Sequence, residues 1–192
     1  MPMAETSAAT IYFEQPGPDN TDQVLELARR RAAELGIRRI VVATTRGETA
    51  VRAAAALAGF EIIAVTHTSG FREPNEQELT AENRARLEQA GVRIVTAAHA
   101  LGGAGRAVRR KLGTVQADEI IAHTLRLFGE GTKVAVEITL MATDAGLVRT
   151  DEEVIAIAGT GRGADTALVL RPANTHNLFD LRVLEVLCKP RL

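Results

Sequence analysis

The chain has 192 residues, 46% of them hydrophobic and 24% charged, which is enough to bury a substantial core as one domain. Lys plus Arg number 23 against 24 Asp plus Glu, a formal charge of −1 that argues against a general nucleic-acid binder. The single cysteine, Cys188, excludes an internal disulfide, and no cysteine and histidine spacing resembles a zinc site. No apolar run is long enough to cross a membrane and MPMAETSAAT lacks a charged-then-apolar leader, so a reducing cytoplasm is the expected setting.

In chain order, Thr10 to Glu14 reads as a first strand, ended by the turn Gln15 to Asp19. Asn20 is placed to N-cap a helix that carries Val24, Leu27, Ala28 and Leu35 on one face and stops at Gly36. Ile37 to Ala43 is the second strand, Glu48 to Ala58 a helix closed by Gly59, and Glu61 to Thr66 the third strand. Thr80 to Ala90 is a helix ended by Gly91, and Val92 to Ala97 the fourth strand. Strands alternating with helices of this length predict an α/β fold: a doubly wound, mostly parallel sheet covered on both faces.

Ala98 to Gly113 mixes glycines with the basic residues Arg106, Arg109, Arg110 and Lys111. This is either a solvated face or an attraction for an anionic ligand; it lacks the lysine-threonine ending of a nucleotide P-loop. Thr114 to Phe128 reads as a helix with Ala117, Ile120, Ile121 and Phe128 on its apolar side and His123 turned to solvent beside Glu119 and Arg126. Thr132 to Gly146 is apolar nearly all round, which predicts a buried helix, with a strand over Lys133 to Leu140 as the alternative. Glu137 within it needs a partner or a raised pKa, and is either a site residue or half of a structural ion pair. Arg182 to Leu187 reads as a last strand that stops at Pro190.

The densest signal is Val154 to Leu170, VIAIAGTGRGADTALVL, in which two apolar runs flank a loop with Gly159, Thr160, Gly161, Gly163, Asp165 and Thr166. Such a loop lets backbone N–H groups converge on an anion, with threonine hydroxyls added. Ala43 to Ala50, ATTRGETA, follows Ile40-Val41-Val42 and opens a helix, so it forms the other half of a candidate phosphate cradle. Gly159 to Ala164 also fits a loose dinucleotide fingerprint, but the run after it is too short for the required helix. A ligand-free hairpin turn is the stronger competitor.

Two histidines lie just past strand ends, where doubly wound sheets place ligands: His67 after the third strand and His99 after the fourth. Both are candidate catalytic residues, able to act as acid or base near neutral pH or to hydrogen-bond a ligand; bonds to backbone in a loop are the plainer alternative, and two histidines alone make no metal site. The loop Thr68 to Asn75 carries an exposed aromatic, Phe71, and reads as a lid or an oligomer contact.

Ile40 to His67 resembles the C-terminal domain of pyruvate kinase, with a strand, a threonine-glycine loop, a helix and a strand ending in valine-threonine in that order; Val154 to Leu170 resembles that domain's closing strand, glycine loop and strand. Over nearly its full length the chain is similar to a family of free-standing archaeal and bacterial pyruvate kinase alpha/beta domain proteins. Shared pieces include Tyr12-Phe13-Glu14, Pro16-Gly17, Asn20-Thr21, Gly70-Phe71-Arg72-Glu73, His99-Ala100-Leu101, Gly105-Arg106, Asp144-Ala145-Gly146-Leu147, Gly163 to Leu168 and Phe179 to Arg182. The resemblance implies paired loops that bind a phosphorylated small molecule, with Thr44, Thr45, Gly47, Glu48 and Thr49 facing Gly159, Thr160, Gly163 and Thr166 across the phosphate. Glu48 departs from the effector loops, and its carboxylate is expected to point away or to bond loop N–H groups.

The free-standing family implies flavin mononucleotide (FMN) as cofactor, with His67 beside it. The alternatives are a flavin-free sensing module for a sugar phosphate and a small flavin-dependent oxidoreductase. The resemblance also implies a homo-oligomer, with Val183, Leu184, Val186 and Leu187 apolar enough for an interface. No catalytic barrel is visible, so no pyruvate kinase activity is expected.

Overall fold

The structure, a computed structural model, describes residues 7–191. The N-terminal leader reading rests in part on residues 1–6, which lie outside the described residues. Seven strands and six α-helices occur among them, alternating as far as β4: β1 (Ile11–Phe13), α1 (Thr21–Leu35), β2 (Arg39–Ala43), α2 (Glu48–Ala56), β3 (Glu61–Thr66), α3 (Ala81–Gln89), β4 (Arg93–Thr96), α4 (Ala104–Leu112), α5 (Ala117–Arg126), α6 (Glu130–Asp144), β5 (Val154–Ala158), β6 (Thr166–Arg171) and β7 (Arg182–Pro190). They form one sheet in the order β1-β7-β6-β5-β2-β3-β4. The strands β5, β2, β3 and β4 are mutually parallel, while β6 runs antiparallel between β5 and β7. Their carboxyl ends therefore share one edge, and the loops after Ala43, Thr66, Thr96 and Ala158 all leave from it.

Strand alternation sorts the core into two faces. Ile40, Val42, Ile155 and Ile157 meet Val24, Leu25 and Ala28 of α1, Ala50 and Ala53 of α2, and Leu87 of α3. On the other face Val41, Ile63 and Ala156 meet Ala135, Ile138 and Met141 of α6. The remaining side of α6, Val136 and Leu140, is covered by Ala122 of α5 and by Leu101. Being wrapped on both sides explains why α6 is apolar all round, and excludes the strand reading of Lys133 to Leu140.

Three local expectations are corrected. The inward face of α1 is Val24, Leu25, Ala28 and Ala32, while Leu27 is half-buried and Leu35 exposed. Asn20 stands at the N-cap position of α1 but its side chain makes no capping bond; a 3-10 turn over Pro18–Asn20 leads into the helix, and the Asn20 amide donates to Gln15 O at 2.8 Å and Gly17 O at 3.3 Å. Helix α5 is shorter than predicted and rotated: Ile120 and Phe128 are each 59% exposed and Ala117 is exposed, while Ala122 and Glu119 turn inward. The buried Glu119 forms a capping box with Gln116 and accepts from Arg109 at 2.7 Å, so the inward face of the helix carries a satisfied carboxylate.

At the far end of the sheet β1 pairs only with Cys188 to Pro190 of β7, so the first part of β7 is an open edge with Val183 and Leu184 exposed. Cys188 itself is fully buried between Ile11 and Ala167, and burial pushes its thiol up to about 12. No helix among the described residues is long and apolar enough to cross a membrane.

Candidate functional site at the carboxyl edge

The two predicted cradle loops are side by side, because β2 and β5 are parallel neighbours with Ile40, Val41 and Val42 opposite Ile155, Ala156 and Ile157. Their donors divide sharply. Thr44 is buried and its Oγ1 accepts the Gly47 N–H at 3.2 Å, fixing the turn into α2. Gly47 adopts φ +107, and a Cβ there would collide with Asn83 and Leu79 of the α3 entry, so this glycine makes room for protein. Gly163, at φ +68, is pressed in the same way against Pro18 and Thr21.

The inside of the second loop is filled by Asp165, which is 0% exposed. Its Oδ2 accepts the N–H groups of Gly17 and Thr160, both at 3.0 Å, and its Oδ1 accepts the Thr166 hydroxyl at 2.7 Å. An internal carboxylate thus takes the converging donors that an anion would use. Gly159 lies against the Gly163 carbonyl and Ala164. Thr45, Thr49 and Thr160 are half-exposed, and their hydroxyls make no hydrogen bond among the described residues. Together with the open N-terminus of α2 they are the donors left facing outward. Glu48 points to solvent, 3.8 Å from Arg46.

Two strands along, the loops after β3 and β4 build a different kind of site. His67 Nδ1 is 2.7 Å from Glu78 Oε2, and Arg72 holds the other oxygen of that carboxylate at 3.0 Å. This pairing puts a proton on Nδ1 and leaves Nε2 without a hydrogen-bond partner among the described residues. Gln77 Nε2 donates to His67 O at 2.8 Å and secures the loop's return. His99 Nε2 accepts weakly from the Thr68 N–H at 3.4 Å, while its Nδ1 is 3.9 Å from Glu137 Oε2.

Below them Lys133 and Glu137 of α6, 5% and 4% exposed, form a buried ion pair; Glu137 Oε1 also accepts the Leu101 N–H at 3.0 Å. Glu137 thus has the partner its setting requires. Burial holds the His99 imidazole below its ordinary value of 6.5 against the pull of Glu137, and His67, Lys133 and Arg106 push the same way as burial. Phe71, expected to be exposed, instead lies over both rings: 4.3 Å from His67, 5.0 Å from His99 at 18°, with the Arg106 guanidinium 5.0 Å from its centroid.

The pyruvate kinase alpha/beta domain family model matches residues 22–170, which takes in both cradle loops, both histidines and the Lys133–Glu137 pair. The chain belongs to that family. Among solved structures it is similar to the pyruvate kinase of Cryptosporidium parvum at 16% identity, covering 80% of this chain and 22% of that one with a TM-score of 0.41. A second structure from that organism gives 16%, 80%, 23% and 0.42, and one in complex with ADP gives 18%, 78%, 22% and 0.39. The chain thus spans under a quarter of the length of these pyruvate kinases.

Within this family fold, Lys133 and Glu78 carry no sequence expectation, while Arg106 is expected only as part of a basic run and Asp165 only as a residue of the glycine loop. Lys133 had a readable signal: four residues before Glu137 on a helix, it shares that residue's face. Glu78 had none, since ten irregular residues separate it from His67. No group of three or more His, Cys, Asp or Glu able to hold a metal occurs among the described residues.

Proposed function

We propose that this chain binds a phosphorylated small molecule along the carboxyl edge, with its phosphate at the β2 and β5 loops, and that FMN is that molecule. The observation that carries this reading is the adjacency of those loops with Thr45, Thr49, Thr160 and the α2 N-terminus left open. Strands lie about 4.8 Å apart, so the histidine cluster beyond β3 and β4 sits roughly 10 Å from the phosphate end. A ligand with a phosphate at one end of a short chain and a planar ring at the other suits that separation. His67 Nε2 would then face the ring as hydrogen-bond partner, or as the acid or base of a small flavin-dependent oxidoreductase.

Titrating FMN and riboflavin against the wild type and single threonine variants tests this. FMN binds far more tightly than riboflavin. Thr45→Ala and Thr160→Ala each weaken FMN by about ten- to hundred-fold, the loss of roughly 1.5–3 kcal/mol for a hydroxyl bonded to a charged group. Thr166→Ala leaves affinity unchanged, because that hydroxyl serves Asp165. Equal affinity for both flavins, indifferent to Thr45 and Thr160, sinks the reading. The low aromatic content, 3% with no tryptophan, favours as second reading a flavin-free sensor for a sugar phosphate; fructose 1,6-bisphosphate that binds where FMN does not would decide for it.

A further inference from the structure

At the carboxyl edge the Phe71 ring is held among His67, His99 and Arg106. Phe71 contacts His99 nearly face to face, His67 at a tilt of 37° and the Arg106 guanidinium over its ring. Those three partners offer more than a phenyl ring can use. A guanidinium and two imidazoles provide polar edges as well as flat faces, and Phe71 takes only the faces. His67 Nε2 has no hydrogen-bond partner among the described residues, because it is Nδ1 that bonds Glu78.

The segment that delivers Phe71 is tied down by few bonds, the Arg72 pair with Glu78 at 3.0 Å and the Gly70 N–H to Glu76 O at 2.8 Å. Residues 69–76 have no helix or strand, and Phe71 is the one residue among them that is not exposed. The return of the loop is fixed separately, through Gln77 on the His67 carbonyl and the Gln77 side chain accepting the Leu79 N–H at 2.9 Å. Moving Phe71 out therefore leaves β3 and α3 in place, and costs at most the half-exposed Arg72–Glu78 pair beside the Glu78–His67 bond.

We infer that this is the ring subsite of the carboxyl-edge ligand site, that Phe71 occupies it when ligand is absent, and that a planar heteroaromatic ring with polar edge atoms displaces Phe71 from it. The inference rests on the reading of this edge as a ligand site. A resident side chain reduces apparent affinity by the fraction of time the subsite stands open. Stacking and cation–π contacts of this kind are each worth a factor of roughly two to ten, so deleting the phenyl ring tightens a ring-bearing ligand by about tenfold.

The test titrates FMN, riboflavin and ribose 5-phosphate into the wild-type chain, Phe71→Ala, Phe71→Leu and Arg106→Ala, with melting curves to verify folding. Phe71→Ala tightens FMN and riboflavin about tenfold and leaves ribose 5-phosphate, which has no aromatic ring, unchanged. Phe71→Leu, which keeps apolar bulk without a flat ring, falls between. Arg106→Ala weakens both flavins, so two residues in contact act with opposite sign. Weaker or unchanged flavin binding in Phe71→Ala makes Phe71 a wall of the site, or irrelevant to it, and overturns the inference. If ribose 5-phosphate binds and no variant binds a flavin, the ring subsite falls while the phosphate loops stand. If riboflavin behaves as expected and ribose 5-phosphate fails to bind, the ring subsite stands and the phosphate reading falls.

Discussion

The loop after β5 and the loops after β3 and β4 leave the same edge of one sheet, yet they are held together in opposite ways. In the first, backbone N–H groups converge on the carboxylate of Asp165 and the glycines admit neighbouring protein, Pro18 and Thr21 against Gly163. In the second, side chains do the holding: Glu78 on His67, Glu137 between Lys133 and the Leu101 N–H, and Phe71 across both imidazoles. The difference teaches that glycine density marks close approach without saying what approaches. Here much of it is the chain's own backbone.

The largest effect expected from breaking this contrast lies on the side-chain half. Lys133→Met leaves the buried Glu137 carboxylate without its cation and destabilises the fold by about 3–5 kcal/mol in urea unfolding. Adding Glu137→Gln, which removes the charge and keeps an acceptor for Leu101 N–H, restores part of that loss. An additive double variant would show that the pair is not coupled.

The backbone half is probed by glycines that differ in surroundings but not in hand. Gly163→Val combines a left-handed φ with a collision against Pro18 and lowers stability by about 2–5 kcal/mol. Gly161, at φ +81 with open space around it, loses only about 1–2 kcal/mol to the same substitution. Equal losses would mean that strain alone, and not packing on Pro18, sets the requirement at residue 163.

The smallest effect is a pH dependence belonging to His99. Burial keeps its folded pKa below 6.5, so as pH falls through 6.5 the unfolded chain takes up a proton that the folded chain refuses. Stability therefore declines from pH 7.5 toward the folded-state value and levels off below it. His67, Glu137, Lys133 and Arg106 all bear on this group, so the comparison is between urea midpoints of the wild type and His99→Gln at each pH. The variant shows a shallower decline; an unchanged slope would assign it to other groups.

The alternation of strands and helices was legible because each unit carries its own punctuation. Gly36 and Gly113 end their helices in the left-handed conformation that a glycine stop implies, and Thr80 caps α3 through the Asn83 N–H. The antiparallel return of β6 was legible as a hairpin alternative. What could not be read was which donors were already engaged. Thr45 and Thr166 look alike in sequence, and only the fold shows that one faces outward and the other bonds Asp165. The facing of α5 was misread for a similar reason, since a bond from Arg109 to Glu119 lies beyond any periodicity rule.

The lone cysteine gives the molecule an unplanned property. Cys188 is enclosed between β1 and β6 and its thiol is held near 12, so a thiol-directed reagent near neutral pH meets neither access nor thiolate while the sheet is closed. The natural chain is in effect cysteine-silent. A reporter cysteine placed anywhere on its surface can be labelled selectively without first removing Cys188, and slow reaction at Cys188 itself would time the opening of the core between α1 and the sheet.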